Sequence, residues 1–317
     1  MSNSRPRCAV VGAANIDIGG FPAGRLVLGD SCPGRVSLSG GGVGRNIACN
    51  LARLGVETHL LTALGDDAFA DIVRADCARA GVLSDMSVTF HGAASSAYLF
   101  IAGASGDMQL AVNDMGICDR LTPQALAGRI DALNAMDAVV LDSNLPAETL
   151  DFLAERLRVP LVADAVSAAK APRLLKALPR LRALKPNALE AEALSQIPIH
   201  DPGSAARAAR QLAAMGAGRV FVTLGERGVC CAEGGQTLYL PGTAVRLVNA
   251  TGAGDAFTAA LLWGTLRGLD LRQCAVAGLA ASAIAVESLA TVSPEMSEER
   301  LLERMGAVEG ESEKSSI

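Results

Sequence analysis

From Leu121 onward the chain alternates short apolar runs with longer amphipathic ones, and this alternation restricts the fold more than any other feature. Strands are expected at 138–141, 160–163, 183–185, 220–223, 228–232 and 237–240, with helices at 147–157, 189–195 and 204–215 among them. Strand and helix alternating at this spacing predict a parallel sheet covered by helices, because a parallel connection needs a crossover long enough to hold a helix. The N-terminal part follows the same rule. Cys8-Ala9-Val10-Val11-Gly12 reads as a strand leading to a polar turn at Asn15-Ile16-Asp17, 44–54 as a helix, 60–64 as a strand and 67–80 as a helix stopping at Gly81.

Two stretches interrupt the pattern. Residues 21–42 lose helical periodicity and are rich in Gly, Pro and Ser, with Val36-Ser37-Leu38 alternating like an exposed strand. Residues 96–101 and 108–112 are strand-like and separated by Ala104-Ser105-Gly106-Asp107, a hairpin signal. Together they predict a small sheet, formed by about 15–42 and 92–115, inserted into one α/β domain spanning 1–317. The polar stretch 308–317 is expected to fray.

Composition narrows the function. The formal net charge is −5 without a basic block, and aromatics are 3% of residues, which argues against a nucleic-acid polymer as partner. The eight cysteines form no C-x-x-C pair and the three histidines are scattered, so zinc has little support; buried free thiols in a reducing cytoplasm are expected. The most apolar run, 274–289, is alanine-rich and carries Glu287, which reads as a buried helix rather than a membrane span.

The stretch Val248-Asn249-Ala250-Thr251-Gly252-Ala253-Gly254-Asp255 precedes an apolar helical run. A glycine-flanked turn opening into a helix offers free N–H groups to an anion, and an acid at the same place can take a proton from a hydroxyl that attacks a phosphate. A capped helix start would look similar, so the surroundings must decide. Neither a Walker loop nor a dinucleotide turn is present. Gly40-Gly41-Gly42-Val43-Gly44 is either a flexible helix start or a backbone platform for a polar ligand, with Asn46 in the first turn. Asn15 and Asp17 are either an Asx-turn or a pair able to grip two sugar hydroxyls. Asn187 and Glu190 form a capping box or organise Mg2+ waters, and 223–228 is a hairpin or a loop over nucleotide phosphates.

As an ordered set these residues resemble the ribokinase-like sugar kinases, the PfkB family, across about the whole chain. The resemblance rests on the glycine run through Asn50, on Asn187-Ala188-Leu189-Glu190 and on Val248 to Asp255. Within the family the chain is most similar to pseudouridine kinases, through Gly12-Ala13-Ala14-Asn15-Ile16-Asp17, Gly41 to Ala48 with Arg45, Val112-Asn113-Asp114-Met115, Asp164 to Lys170 and Leu184 to Asn187. The resemblance implies a three-layer α/β/α fold with a mostly parallel central sheet and a small β-sheet lid. It also implies ATP-dependent phosphorylation of the ribose 5′-hydroxyl of pseudouridine. Asp255 would be the base and Gly252, Ala253 and Gly254 the anion hole. Asn15, Asp17, Gly41, Gly42, Arg45, Asn46, Ser96 and Asn113 would bind the nucleoside. Lys185, Asn187, Thr223, Gly225, Gly228 and Ala281 would serve ATP, with Glu190 and Asn187 holding Mg2+ through water. Asn249, standing where many members have Asp, and Thr251 would serve a monovalent cation such as K+. A homodimer through the lid is implied. A ribokinase, an inosine, guanosine or adenosine kinase, and a sugar-binding regulator that has lost catalysis are the alternatives.

Overall fold

The computed structural model describes residues 5–27, 29–103 and 107–314. The strands are β1 (Arg7–Val11), β2 (Asn15–Pro22), β3 (Gly34–Gly41), β4 (Glu57–Leu61), β5 (Ala63–Leu64), β6 (Val82–Leu83), β7 (Val88–Thr89), β8 (Ala97–Ala102), β9 (Met108–Asp114), β10 (Ala138–Asp142), β11 (Leu161–Asp164), β12 (Leu181–Lys185), β13 (Arg219–Thr223), β14 (Val229–Glu233) and β15 (Gln236–Leu240). The helices are α1 (Val43–Arg53), α2 (Ala68–Arg79), α3 (Pro123–Leu126), α4 (Ile130–Asn134), α5 (Ala147–Arg156), α6 (Ala188–Ser195), α7 (Pro202–Ala214), α8 (Ala253–Leu266), α9 (Leu271–Val286) and α10 (Glu298–Lys314).

Nine strands form the main sheet in the order β15-β14-β13-β12-β11-β10-β1-β4-β6. From β6 to β13 every pairing is parallel; β14 and β15 add on antiparallel. The central strands β1, β10, β11, β12 and β13 are buried over nearly their whole length because both faces are covered. Val10, Val140, Val162, Ala183 and Phe221 point into a core shared with α1, α8 and α9. Their strand neighbours Val11, Leu141, Ala163, Leu184 and Val222 point into the opposite core, with α5, α6 and α7. The chain leaves β1 toward β4 on one side and later fills β10 on the other. The β1/β10 boundary is therefore a switch point, where open α/β sheets bind ligands beyond their carboxyl ends.

The smaller sheet has the order β3-β2-β8-β9. Asn15-Ile16-Asp17, expected as a turn, begins β2 instead. Ile16 is buried and pairs with both Gly40 and Ala97, so ladder pairing wins over a local Asx-turn. The β8–β9 connection at 104–106 lies outside the described residues. The fraying expected from residue 308 does not begin there: α10 continues to Lys314, with Leu301 and Val308 buried in the core under its inner face. The run 274–289 is largely α9, a buried helix. Among the described residues no helix is long and apolar enough to cross a membrane.

Candidate active site

The site is built at the carboxyl end of β1. Gly42 adopts φ +94°, and a Cβ there would lie 2.6 Å from the Ala13 carbonyl oxygen; a Cβ on Gly44 would lie 2.8 Å from the Gly12 backbone. Glycines let α1 start directly against the end of β1, and Arg45 N–H donates to the Ala13 carbonyl. This close start puts Asn46 opposite α8. Its Nδ2 donates to Asp255 Oδ2 at 2.8 Å, across 209 residues of sequence.

Asp255 lies in the first turn of α8, whose N-cap is Gly252 at φ +87°. No side chain caps this end, so the first N–H groups of the helix and its positive dipole end remain to meet an anion. A Cβ on Gly252 would run 2.1 Å from the Thr291 carbonyl oxygen, and one on Gly254 would lie 2.9 Å from Lys185 Nζ. The Lys185 ammonium therefore packs against Gly254, in the first turn of the helix.

Beneath this cradle sits a buried charge cluster. Lys185, at the end of β12, pairs with Asp164, at the end of β11, at 3.1 Å. Thr258, one helical turn beyond Gly254, donates to Asp164 Oδ2 at 2.6 Å. Asp142, at the end of β10, accepts from Ala13 N–H at 2.8 Å and Asn144 N–H at 2.9 Å. Burial, and next the neighbouring Asp164, push the Asp255 pKa up to about 7, against the Asn46 hydrogen bond and Lys185. Its residue is nevertheless partly accessible to solvent. Burial likewise pushes Asp142 up to about 6. Burial works against the charged form of Lys185, but Asp164, Glu190 and Asp255 outweigh it and hold its pKa above the usual value. Asp142, Asp164 and Thr258 are site residues whose roles sequence reasoning does not pick out. The available signal is that β10 and β11 each end in Asp at the ligand-facing edge.

The small sheet contributes a polar face. Register puts Asp17, Ser39, Tyr98 and Asn113 in one row across β3, β2, β8 and β9. Asn15 Nδ2 donates to Asp17 Oδ1 at 2.7 Å, and a Cβ on Gly41 would overlap the Asp17 carboxylate. Burial raises the Asp17 pKa, partly offset by Asn15 and Arg45. Asn113 is exposed at the outer strand, whereas Ser96 is buried with its hydroxyl 3.8 Å from Cys118 Sγ. Arg45 turns sideways, donating to Gly40 O, Asn46 Oδ1 and Asp76 Oδ2.

On the other flank the Asn187–Glu190 capping box is fully formed, and Asn187 Nδ2 also donates to Glu190 Oε1. Each Glu190 oxygen accepts one bond from Asn187, so lone pairs remain for the waters of a Mg2+ ion. Burial raises the Glu190 pKa, while Lys185 lowers it. Asn187 bridges to Thr223, so this helix start and the β13–β14 connection are neighbours. That connection is a hairpin with Gly225 and Gly228 at positive φ; a Cβ on Gly228 would lie 2.1 Å from the Leu240 carbonyl oxygen. Ala281 is fully buried in α9, and its neighbour Ser282 donates to the Ala253 carbonyl. Asn249 uses Oδ1 on Thr251 N–H and Nδ2 on Leu289 O. Among the described residues no cluster of three or more His, Cys, Asp or Glu could itself cage a metal.

The sequence matches the pfkB family carbohydrate kinases over residues 5–298. It is 36% identical over 299 residues to the uncharacterized sugar kinase YeiI of Escherichia coli, covering 93% of this chain and 82% of that one. It is 32% identical over 290 residues to the pseudouridine kinase of Escherichia coli, covering 91% of this chain and 93% of that one. A solved carbohydrate kinase from Agrobacterium tumefaciens superposes with a TM-score of 0.85 at 30% identity, over 95% of this chain and 97% of that one. With this match over nearly the whole chain, on a ribokinase-like sheet, the chain belongs to the pfkB family of carbohydrate kinases, phosphotransferases that act on sugars or nucleosides.

Proposed function

We propose that the protein transfers the γ-phosphoryl group of ATP to the ribose 5′-hydroxyl of pseudouridine, giving pseudouridine 5′-phosphate and ADP in the cytoplasm. The carrying observation is Asp255, held by Asn46 at 2.8 Å in the first turn of a helix that no side chain caps, whose amides, with Lys185 close by, would receive a phosphoryl group; burial pushes its pKa up to about 7. Asp255 takes the proton of the 5′-hydroxyl; the oxygen attacks the γ-phosphorus, and the bond to the β,γ-bridging oxygen breaks. The Gly252, Ala253 and Gly254 amides stabilise the charge spread over the moving group. Asn46, held by Arg45, fixes the Asp255 carboxylate. Asn15, Asp17 and the Gly41–Gly42 backbone hold the ribose.

Glu190 and Asn187 would hold Mg2+ through water, and their unspent lone pairs fit that role; the ion, when bound, neutralises phosphate charge. Lys185, Thr223, Gly225 and Gly228 border the nucleotide side, with Ala281 behind it in α9. Closure of the small sheet excludes water, which would otherwise accept the phosphoryl group.

Pseudouridine is favoured by the likeness to a pseudouridine kinase over nine-tenths of the chain and by the polar row on the small sheet. Its base offers N–H donors and carbonyl acceptors together, and the Asn113 amide can answer both. An ATP-consumption assay over pseudouridine, uridine, ribose, inosine, guanosine and adenosine tests the reading. Pseudouridine should give the highest kcat/KM, by at least about tenfold, the discrimination that one buried hydrogen bond of about 1.4 kcal/mol supplies. Turnover of ribose or a purine nucleoside without turnover of pseudouridine would refute it.

The opposite face of the small sheet carries Val36, Leu38, Leu99, Leu110 and Val112, all exposed. Contiguous exposed apolar residues mark an interaction surface, and a second copy of the chain is its proposed cover. Light scattering should give a dimer mass, and Val36→Lys with Val112→Lys should give a monomer; a monomeric parent protein refutes the dimer.

A further inference from the structure

Behind the glycine run lies a cleft of about 420 Å3; it shares Arg45 and Ser39 with the nucleoside side, but none of Asn46, Lys185, Gly252, Ala253, Gly254 or Asp255 lines it. Arg45, Arg53, Arg79 and Asp76 line it, together with Gly40 and the loop at 289–292. Three guanidinium groups thus face one carboxylate. Asp76 is already committed to two of them: its Oδ2 accepts from Arg45 and from Gly40 N–H, and its Oδ1 accepts from Arg79. Arg53 donates to the Ser293 carbonyl and has no carboxylate within ion-pair distance among the described residues. Arg45 Nε is buried with no hydrogen-bond partner. An unsatisfied buried donor is costly unless an acceptor completes it, Arg53 adds a cation without a carboxylate on the same wall, and guanidinium groups bind phosphate oxygens in paired fashion.

Size narrows the occupant. The cleft is in the range of small-molecule sites and holds many times the roughly 30 Å3 of one water, so a bare oxyanion would leave most of it open. Leu289, Ala290, Thr291 and Val292 form the wall beyond the arginines. We propose that this cleft is a second ligand site, for an organic phosphate monoester whose phosphate sits on Arg53, Arg79 and Arg45 and whose organic part lies along 289–292. The occupant would touch the arginine that holds Asn46, two hydrogen bonds from Asp255. Binding itself does not depend on which acceptor the enzyme phosphorylates.

The test is calorimetric titration of the full chain saturated with Mg2+ and a non-hydrolysable ATP analogue, so that the phosphate position of the transfer site is filled. Ribose 5-phosphate and uridine 5′-monophosphate are the probes, with ribose and inorganic phosphate as controls. Saturable binding of about one equivalent of a monoester is expected, and none of ribose. The two monoesters differ in the organic part, and the tighter one identifies which source the cleft suits. Arg79→Glu and Arg53→Gln should each weaken binding at least tenfold, with the thermal midpoint and turnover of the parent protein retained. Arg79 is exposed, so its variant folds even if Arg53→Gln does not. The proposal is overturned if the saturated protein binds neither monoester, if Arg79→Glu binds them as the parent does, or if inorganic phosphate binds as tightly as both. If the ATP analogue itself fails to bind, the kinase reading fails, while the Arg79→Glu comparison still reports on the cleft.

Discussion

Asp255→Asn is expected to lower kcat by about 10²–10⁴, the usual contribution of a positioned general base, while calorimetry shows nucleoside affinity little changed. Asparagine keeps the size of the side chain and can still accept from Asn46 Nδ2, so the loss should fall on kcat rather than on binding. In the parent enzyme, kcat/KM should fall about tenfold per pH unit below about pH 7, where Asp255 becomes protonated. The variant's residual rate should lack this limb. The same substitution should stabilise the fold. The Asp255 pKa is raised from 3.8 to about 7 on folding. Between those values the native protein holds a proton that the unfolded chain has released, so stability falls as pH rises through the window. At about 1.4 kcal/mol per unit, reduced for the partial access of this residue to solvent, Asp255→Asn should add about 2–4 kcal/mol at pH 8 and almost nothing at pH 4. Turnover within a few-fold of the parent would remove Asp255 from the role of base. Equal gains in stability at pH 4 and pH 8 would deny its buried ionisation.

Lys185→Met is expected to destabilise the protein by about 3–5 kcal/mol at pH 8, the usual cost of removing one partner of a buried ion pair. The ammonium lies 3.1 Å from Asp164 and is also held by the charges of Glu190 and Asp255. Without it, these carboxylates would repel one another in a buried space. Lowering the pH should relieve this, because protonated carboxyls no longer repel, so the loss should be clearly smaller at pH 5.5 than at pH 8. The Asp255 acid limb should move to higher pH once its cationic neighbour is gone. Asp164→Asn in the same chain should restore part of the stability, and denaturant unfolding of the four proteins in this cycle measures the coupling. Additive losses in the double variant would show that Lys185 and Asp164 act independently.

The architecture was readable because it follows from short-range rules. Apolar runs of strand length separated by helix-length segments specify a parallel sheet covered on both faces, and β10 to β13 lie where the alternation puts them. The N-cap of α6 at Asn187 and the start of α2 at Asp67 are likewise local hydrogen-bond choices. Two readings failed for one reason. Asn15–Asp17 reads as a turn and 308–317 as a tail that frays from its start because both are polar locally; pairing to Gly40 and Ala97 in the first case, and burial of Val308 in the second, come from distant residues.

Local sequence already puts Asp255 after a glycine-flanked turn at the head of a helix, and glycines at 40–44 before another. Long-range packing makes these two helix starts face each other, with Asn46 on Asp255, and sets Asp142 and Asp164 beneath them with Lys185. Contacts spanning 209 residues of sequence leave no local periodicity to read. The raised pKa of Asp255, on which its proposed use as a base near neutral pH rests, is a property of burial and neighbouring charge, and both exist only once the sheet has brought the ends of β1, β10, β11 and β12 together.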